Sequence, residues 1–246
     1  MPTDTPRIGT AGWTIPSAVR DRFPAEGAGL QRYAGVFDGV EINSTFYRPH
    51  RPTTFARWVE VTPAGFQFAV KLPKAITHDA RLAEPQARLA AFRADVALLG
   101  DKLGPLLIQL PPSLVFDTAV AERFFASLRD IWPEACACEP RNASWFQAGA
   151  DALLRSYRVA RVAADPARTP DAGRPGGWLE LAYWRLHGSP RMYYSSYEPA
   201  YLAELQLAMA RSPASRIWCI FDNTTSGAAV ENALALRREV VGLGGT

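Results

Sequence analysis

Short runs of alternating or apolar residues recur along the whole chain, and stretches with helical periodicity separate most of them. Alternation of apolar and polar residues predicts strands, whereas apolar residues three and four positions apart predict amphipathic helices. Eight strands interleaved with helices in 246 residues is the pattern of a (β/α)8 barrel. The predicted strands cover residues 8–10, 39–43, 66–71, 106–110, 135–139, 159–163, 183–187 and 217–223, and the predicted helices cover residues 53–61, 84–99, 119–129, 148–157, 201–211 and 228–241.

The connection between the sixth and seventh predicted strands departs from this regular pattern. Residues 166–178 hold three prolines and three glycines, which disfavour a helix. We therefore predict an irregular connection, either a surface excursion that replaces a helix or a mobile flap over the site. No linker divides the chain, so the prediction is an α/β protein with a single TIM-barrel domain over residues 1–246. A doubly wound open sheet is the alternative, but no Gly-x-Gly-x-x-Gly motif follows an early strand.

Composition restricts the class of protein and its surroundings. The chain is 48% hydrophobic and 21% charged, as globular proteins are, and a net charge of +3 implies no general attraction to polyanions. Three cysteines are too few for a disulfide framework and favour a reducing environment. No apolar run is long enough to span a membrane, and the start of the chain lacks a signal-peptide layout. We therefore expect a cytoplasmic protein with no membrane partner, and the sequence indicates no particular oligomeric state.

Rare polar residues collect at the ends of the predicted strands and in the segments just after them. In a (β/α)8 barrel these carboxyl ends and the following loops build the active site. Polar groups inside a barrel cost free energy unless they are paired or solvated, so they indicate a functional site or a structural network. The candidates for catalysis are Glu41, Glu139, Asp165 and His187, and the candidates for ligand binding are Asn43, Tyr47, Lys71, His78, Gln109, Arg141, Trp145, Arg185, Tyr197 and Asn223.

Three functions are compatible with these residues. The first is an enzyme of the hydrolase or isomerase type that holds a small anionic ligand, such as a phosphorylated one, on Lys71, Arg141 and Arg185. The second is a nucleic-acid-binding protein, because basic and aromatic residues alternate in the predicted loops. The third is a glycosidase-like hydrolase in which Glu41 and Glu139 act as acid and base.

No cofactor is predicted for any of these functions. The few histidines and cysteines are not spaced as zinc ligands are, so we predict no tightly bound zinc and name no metal ligand. A single divalent metal held by carboxylates and His187 stays open as an alternative.

Ordered motifs along nearly the whole chain resemble one known family. They include Gly-Thr-Ala-Gly-Trp at 9–13, Val-Glu-Ile-Asn-Ser-Thr-Phe-Tyr at 40–47, Glu-Pro-Arg at 139–141 and Tyr-Trp-Arg-Leu-His-Gly at 183–188. The sequence resembles the YecE-like family, also called domain of unknown function 72. That resemblance implies a TIM barrel, with similarity to endonuclease IV-like and xylose isomerase-like barrels at the level of fold, and it implies no reaction.

Three positions depart from the pattern of that family. Asn142 stands where a histidine is common, Asp222 stands where an asparagine is common, and Ala11 replaces a frequent serine. The loss of the histidine argues against a mechanism based on an imidazole after the fifth strand.

Overall fold

Strands and helices alternate along residues 5–242, the part of the chain that the computed structural model describes. This range contains ten strands and seven α-helices. The strands are β1 (Arg7–Thr10), β2 (Gly39–Ile42), β3 (Gln67–Lys71), β4 (Leu103–Gln109), β5 (Cys136–Glu139), β6 (Val159–Arg161), β7 (Ala163–Asp165), β8 (Gly176–Gly177), β9 (Leu181–Leu186) and β10 (Arg216–Phe221). The helices are α1 (Gly29–Ala34), α2 (Pro52–Glu60), α3 (Gln86–Val96), α4 (Thr118–Ile131), α5 (Ala148–Ser156), α6 (Pro199–Ala210) and α7 (Ala228–Gly242).

The strands form two sheets, one of four strands and one of six. The first has the order β1-β10-β9-β7 and is parallel, and the second has the order β2-β3-β4-β5-β6-β8, in which β8 alone is antiparallel. Strand pairing within residues 5–242 therefore gives an α/β fold with two sheets and not one closed sheet. Two backbone contacts lie between the sheets: a bridge pairs Ala11 with Glu41, and the N–H of Val162 donates to the carbonyl of Cys138 at 2.8 Å.

Each of the eight predicted strands overlaps an observed one, and the bounds differ most at two of them. The predicted strand at 159–163 is divided at Val162, so that β6 pairs with β5 and β7 pairs with β9. The fourth strand begins at Leu103, earlier than predicted, because it includes Gly104 and Pro105. The register between β3 and β4 shifts at these two residues, where proline has no N–H to contribute to the ladder.

The helices follow the prediction except at the beginning of the chain. Each of the six predicted helices overlaps one of α2 to α7. The six-residue helix α1 is not predicted, because it is too short for a clear apolar period and follows a segment rich in glycine and proline.

The irregular connection before β9 contains a short 3-10 helix at Pro170–Gly173 and the two-residue strand β8. No α-helix forms in residues 166–178, all of which are described. The buried guanidinium of Arg161 fixes this segment, since it donates to the carbonyl of Asp171 at 2.6 Å and pairs with Asp151 at 3.1 Å.

Apolar side chains fill both faces of the strands. The larger cluster packs between the strands and the helices. A smaller cluster lies on the opposite face, where Trp218 stacks on Tyr183 with ring centroids 6.2 Å apart. Gly104 leaves room for this stack, because a Cβ there would lie 2.9 Å from the Trp218 ring. Strands of both sheets supply the smaller cluster: Ala69, Leu107, Ala135, Ala137, Ala160, Val162, Leu181, Tyr183, Trp218 and Ile220.

Within the described range, no helix combines the length and the apolar character that a membrane crossing requires.

Candidate functional site

A cluster of buried charges lies where β2, β5, β9 and β10 reach their carboxyl ends. Its centre is Arg185, which is fully buried and contacts three carboxylates. The Nε and Nη2 of Arg185 donate to Glu41 at 3.0 and 2.7 Å, and Nη1 donates to Glu139 at 2.6 Å. Nη2 also donates to Asp222 at 3.1 Å. All three guanidinium nitrogens are therefore committed to carboxylates.

The alternation of side chains along the strands brings these groups together. Arg185 and His187 are two residues apart and contact the same carboxylates, whereas Leu186 between them packs in the cluster beneath the helices. Glu41 on β2 and Asn43, which follows the end of β2, both reach this cluster. The sequence prediction for the faces of these strands is confirmed at these residues.

His187 is held between two carboxylates. Its Nδ1 lies 2.9 Å from Asp222 and its Nε2 lies 2.8 Å from Glu139. A neutral imidazole carries one N–H and donates to one carboxylate, whereas the imidazolium donates to both. Contacts at both ring nitrogens fix the orientation of the imidazole.

The positive charges keep the carboxylates ionised in spite of burial. Burial raises the pKa of Glu139, but Arg185, His187 and Arg141 outweigh it and hold this pKa well below the ordinary 4.5. The pKa of Asp222 is lowered in the same way, because Arg185 and the hydrogen bond from His187 outweigh its burial. Burial opposes the charge of Arg185, but Glu41 and Glu139 raise its pKa well above the ordinary value.

Two further cations lie at this end of the fold and are only partly neutralised. Lys71, the last residue of β3, places its Nζ 4.3 Å from the centre of the Phe46 ring and makes no ion pair within the described residues. Burial lowers the pKa of Lys71 to about 8, with a smaller contribution from Arg185 that is opposed by Glu41. Arg141 is 8% exposed, and its one ionic contact in the described part of the chain is with Glu139 at 3.4 Å.

Two side-chain amides contact the carboxylates of the cluster. Gln109 donates to Glu139 at 2.9 Å. Asn43 donates from Nδ2 to Asp222 at 3.4 Å, and its buried Oδ1 has no hydrogen-bond partner among residues 5–242.

Two predicted ligand-binding residues pack on Phe46, at the rim of the cluster. Tyr47 is 71% exposed, and its ring meets that of Phe46 edge to face at 5.0 Å. His78 contacts the same ring at 4.9 Å, and its Nδ1 lies 2.8 Å from the hydroxyl of Thr77. Burial lowers the pKa of His78, and the charge of Lys71 lowers it further.

Four predicted site residues do not contact the cluster. Asp165 accepts from the hydroxyl of Tyr197 at 2.8 Å, on the face of β7 turned away from Arg185, because side chains alternate along the strand. The Tyr197 hydroxyl in turn accepts from the N–H of Gly188 at 2.8 Å. Trp145 is buried, and its Nε1 donates to the carbonyl of a neighbouring loop. Asn223 donates from Nδ2 to the carbonyl of Ser195, in the loop after β9, and to the Oδ1 of Asn232 in α7.

Three residues of the cluster are absent from the predicted candidates. Asp222 carries the strongest signal in the sequence, since it follows a predicted strand and departs from the family pattern. Tyr183, two residues before Arg185 on the same face, donates to Glu41 at 2.8 Å. Tyr193 covers His187 edge to face with ring centroids 5.9 Å apart, and no pattern in the sequence predicts this contact.

Comparison with known proteins identifies the family. The profile of the family described as "Protein of unknown function DUF72" matches residues 7–243. The chain belongs to the DUF72 family. The resemblance predicted from the motifs is thereby confirmed.

Two curated relatives align with this DUF72 protein over part of their length. UPF0759 protein YecE of Escherichia coli (strain K12) is 33% identical over 104 residues, which are 42% of this chain and 37% of that protein. UPF0759 protein YunF of Bacillus subtilis (strain 168) is 32% identical over 149 residues, which are 56% of this chain and 51% of that protein. The alignments thus span about half or less of each relative.

Two solved DUF72 structures share the fold of this chain. A DUF72 family protein from Thermotoga maritima MSB8 has a TM-score of 0.81 at 24% identity, covering 96% of this chain and 98% of its own. A DUF72 family protein from Enterococcus faecalis V583 has a TM-score of 0.79 at 21% identity, covering 96% and 95%. At these identities the likeness concerns the fold alone.

Metal ligands do not gather at this DUF72 site. Within residues 5–242, no three His, Cys, Asp or Glu side chains are grouped so that they could hold a metal ion. The carboxylates at the site are bonded to Arg185 and His187 instead. The absence of a tightly bound zinc stays a prediction.

Proposed function

We propose that this protein is an enzyme that binds a small anionic molecule between Lys71 and Arg141, at the mouth of a (β/α)8 barrel formed by one domain. The reaction is of the hydrolase or isomerase type, and Lys71 exchanges the proton. The observation that carries the proposal is the unequal pairing of charges. Lys71 has no acidic partner among residues 5–242, whereas all three carboxylates of the cluster are bonded to Arg185 or His187.

Contacts between the two sheets support the barrel. Ala11 pairs with Glu41 of β2 and also donates its N–H to the carbonyl of Phe221 in β10, at 3.0 Å. On the other side, Val162 lies between β6, which pairs with β5, and β7, which pairs with β9. Its N–H donates to the carbonyl of Cys138 in β5. The ring of Trp218 packs in a cluster to which both sheets contribute, as the interior of a barrel requires.

The charges at the mouth support anion binding. A buried ammonium without an acidic partner is costly, so a ligand that supplies the missing negative charge binds favourably. Arg141 adds a planar set of donors suited to a carboxylate or a phosphate. Arg185, which the sequence hypothesis also assigned to the ligand, is fully buried and already bonded to carboxylates, so the proposal gives it a structural role.

The same geometry reassigns the proton-transfer group. Glu41 and Glu139 are both fully buried and bonded to Arg185, which argues against a glycosidase-like pair of carboxylates. Efficient general acid–base groups have a pKa near the working pH. Lys71 meets this condition, because burial lowers its pKa to about 8.

Nucleic-acid binding is the second candidate, and one observation favours it. Three tyrosines in the surrounding loops expose 40 to 71% of their surface, namely Tyr47, Tyr193 and Tyr194. Exposed aromatic rings stack on unpaired bases. Arg191 already covers the ring of Tyr194 at 3.9 Å, which leaves less of this surface for a base.

Calorimetric titration with inorganic phosphate, pyruvate and a short single-stranded oligonucleotide tests the proposal. Lys71→Gln and Arg141→Gln should each weaken anion binding roughly ten- to hundredfold, the range for a hydrogen bond to a charged group. Lys74→Gln is the matched control, because Lys74 is half-exposed and lies 3.8 Å from Asp79.

Three results would contradict anion binding at this place. They are no binding of either anion by the wild type, equal weakening by Lys74→Gln, or binding of the oligonucleotide alone. The last result would support the nucleic-acid candidate instead.

A further inference from the structure

We infer that Lys71 forms an imine with a small carbonyl compound that carries an anionic group, and that Arg141 binds this group. The inference rests on the proposed anion site and adds to it the chemical class of the ligand and a covalent step. In this step Lys71 is the nucleophile, and proton exchange passes from Lys71 to His78.

The surroundings of Lys71 are those of a nucleophilic amine. Lys71 is 7% exposed, and its Nζ lies against the apolar ring of Phe46 and not against a carboxylate. The hydroxyl of Thr45 donates to the carbonyl of Lys71 at 2.7 Å, which fixes the backbone where β3 ends. An amine held on a rigid strand end, in a desolvated position, is favoured as a nucleophile.

The charged groups that face Lys71 leave its amine reactive near neutral pH. Burial and the charge of Arg185 lower the pKa of Lys71, whereas Glu41, Asp222 and Glu139 raise it, and the balance is about 8. A substantial fraction of the side chain is therefore neutral near that pH, and the neutral amine is the form that attacks a carbonyl carbon.

His78 lies near enough to this amine for the charge of Lys71 to lower the pKa of His78. His78 and Lys71 pack on the same ring, that of Phe46. The Nδ1 of His78 lies beside the hydroxyl of Thr77, and its Nε2 makes no hydrogen bond with any residue in the described part of the chain. We assign His78 as the residue that takes up the proton released by the ammonium and returns it during dehydration.

The reaction is balanced without an oxidant or a reductant. The ammonium first gives a proton to His78. The Nζ lone pair then attacks the carbonyl carbon, the C–N bond forms, and one of the two protons on Nζ passes to the carbonyl oxygen, which becomes a hydroxyl. As the C=N bond forms, the C–O bond breaks and water leaves, made of that hydroxyl and the proton that His78 returns. In sum, an ammonium and a carbonyl give a protonated imine and one water.

Arg141 distinguishes the ligands that should react. A carbonyl compound with a carboxylate or a phosphate places its negative charge on the guanidinium, which makes one contact, at 3.4 Å, with a carboxylate of the protein. A neutral aldehyde lacks this group. We therefore expect pyruvate or dihydroxyacetone phosphate to react at far lower concentration than propanal.

The sequence contains three lysines, so the other two are internal controls. Lys74 is exposed, and Lys102 donates to the carbonyls of Val59 and Thr62 at 2.6 Å. The full chain is incubated with each carbonyl compound and cyanoborohydride, which reduces an imine to a stable amine, and the modified peptides are mapped by mass spectrometry. We expect a saturable adduct on Lys71 with the two anionic compounds, and more of it as the pH rises toward 8.

Two variants separate the covalent step from anion binding. Lys71→Arg keeps the cation but cannot form an imine, so it should bind pyruvate in calorimetry and give no adduct at position 71. Arg141→Gln should reduce the Lys71 adduct with pyruvate at least tenfold and leave that with propanal unchanged.

Modification of Lys74 or Lys102 to the same extent as Lys71 would overturn the inference. So would pyruvate binding by the wild type without an adduct, and in that case the proposed anion site would stand. If the wild type neither binds pyruvate nor forms an adduct, both the inference and the proposed anion site are contradicted.

Discussion

Replacement of Arg185 by methionine should destabilise the fold strongly, because it leaves buried carboxylates without their main partner. Glu41 would keep a single hydrogen bond, from Tyr183, and Glu139 would keep His187, Gln109 and the contact with Arg141. Removing one member of a buried ion pair costs about 3–5 kcal/mol. For a protein of this size that corresponds to a fall in Tm of roughly 6–20 °C.

Thermal unfolding followed by circular dichroism measures this effect, with Arg211→Met, an exposed arginine, as the control. The double variant Arg185→Met, Glu41→Gln should recover part of the loss, because it removes the charge that the single variant leaves unpaired. A fall in Tm no larger than that of the control would refute the assignment of Arg185 as the structural centre of the cluster.

Three further predictions follow from the same contacts. The pKa values of Glu139 and Asp222 are lowered in the folded state, so the stability that these carboxylates contribute is present above their ordinary values of 4.5 and 3.8 and is lost as the pH falls below them. The Tm of the wild type should therefore drop over this pH range more than the Tm of Arg185→Met. A Tm of the wild type that does not change with pH would contradict the pairing. The pKa of Lys71 falls from 10.5 to about 8 on folding, which destabilises the folded state by roughly 3 kcal/mol. Lys71→Met should therefore raise the free energy of unfolding at pH 7 by up to that amount and should not raise it above pH 10.5. Urea titrations at pH 7 and above pH 10.5 measure this, and an equal gain at the two pH values would be inconsistent with it. A methyl group at Gly9 would collide with the carbonyl of Gly39, so Gly9→Ala should lower the free energy of unfolding by about 1–3 kcal/mol or more. The control variant Gly149→Ala places a methyl group in open space within α5 and should not lower it. Similar Tm values for the two variants would argue against a close approach of β1 and β2.

The strands were predictable because their signal is local. Alternation of apolar and polar residues is enough to place Arg185 and His187 on one face, and Glu41 of β2 on the same cluster, which Asn43 also reaches just after β2 ends. The start of β4 was hidden because Pro105 lies inside the strand, where a proline normally ends one. The division of the sixth strand at Val162 depends on which neighbours it pairs with, and no local pattern contains that information.

Membership of the site was less predictable, because it depends on contacts between distant parts of the chain. Asp165 ends a strand as Glu139 does, but it points to Tyr197 instead of the cluster. Trp145 follows β5, and its position in the core depends on a short 3-10 helix that turns its ring inward. The commitment of Arg185 to three carboxylates, which excludes it from ligand binding, becomes apparent only when the distances are known.

The state of the Lys71 amine in the presence of an anion tests the central claim most directly. With three lysines in the chain, a protein labelled with ¹³C-lysine gives few side-chain signals, and Lys71→Arg identifies the one from Lys71. The account predicts that this signal titrates near pH 8 and that saturating phosphate or pyruvate raises its pKa, because a bound anion stabilises the ammonium. Titration of Lys71 at its ordinary 10.5, or a midpoint that neither anion moves, would contradict the account.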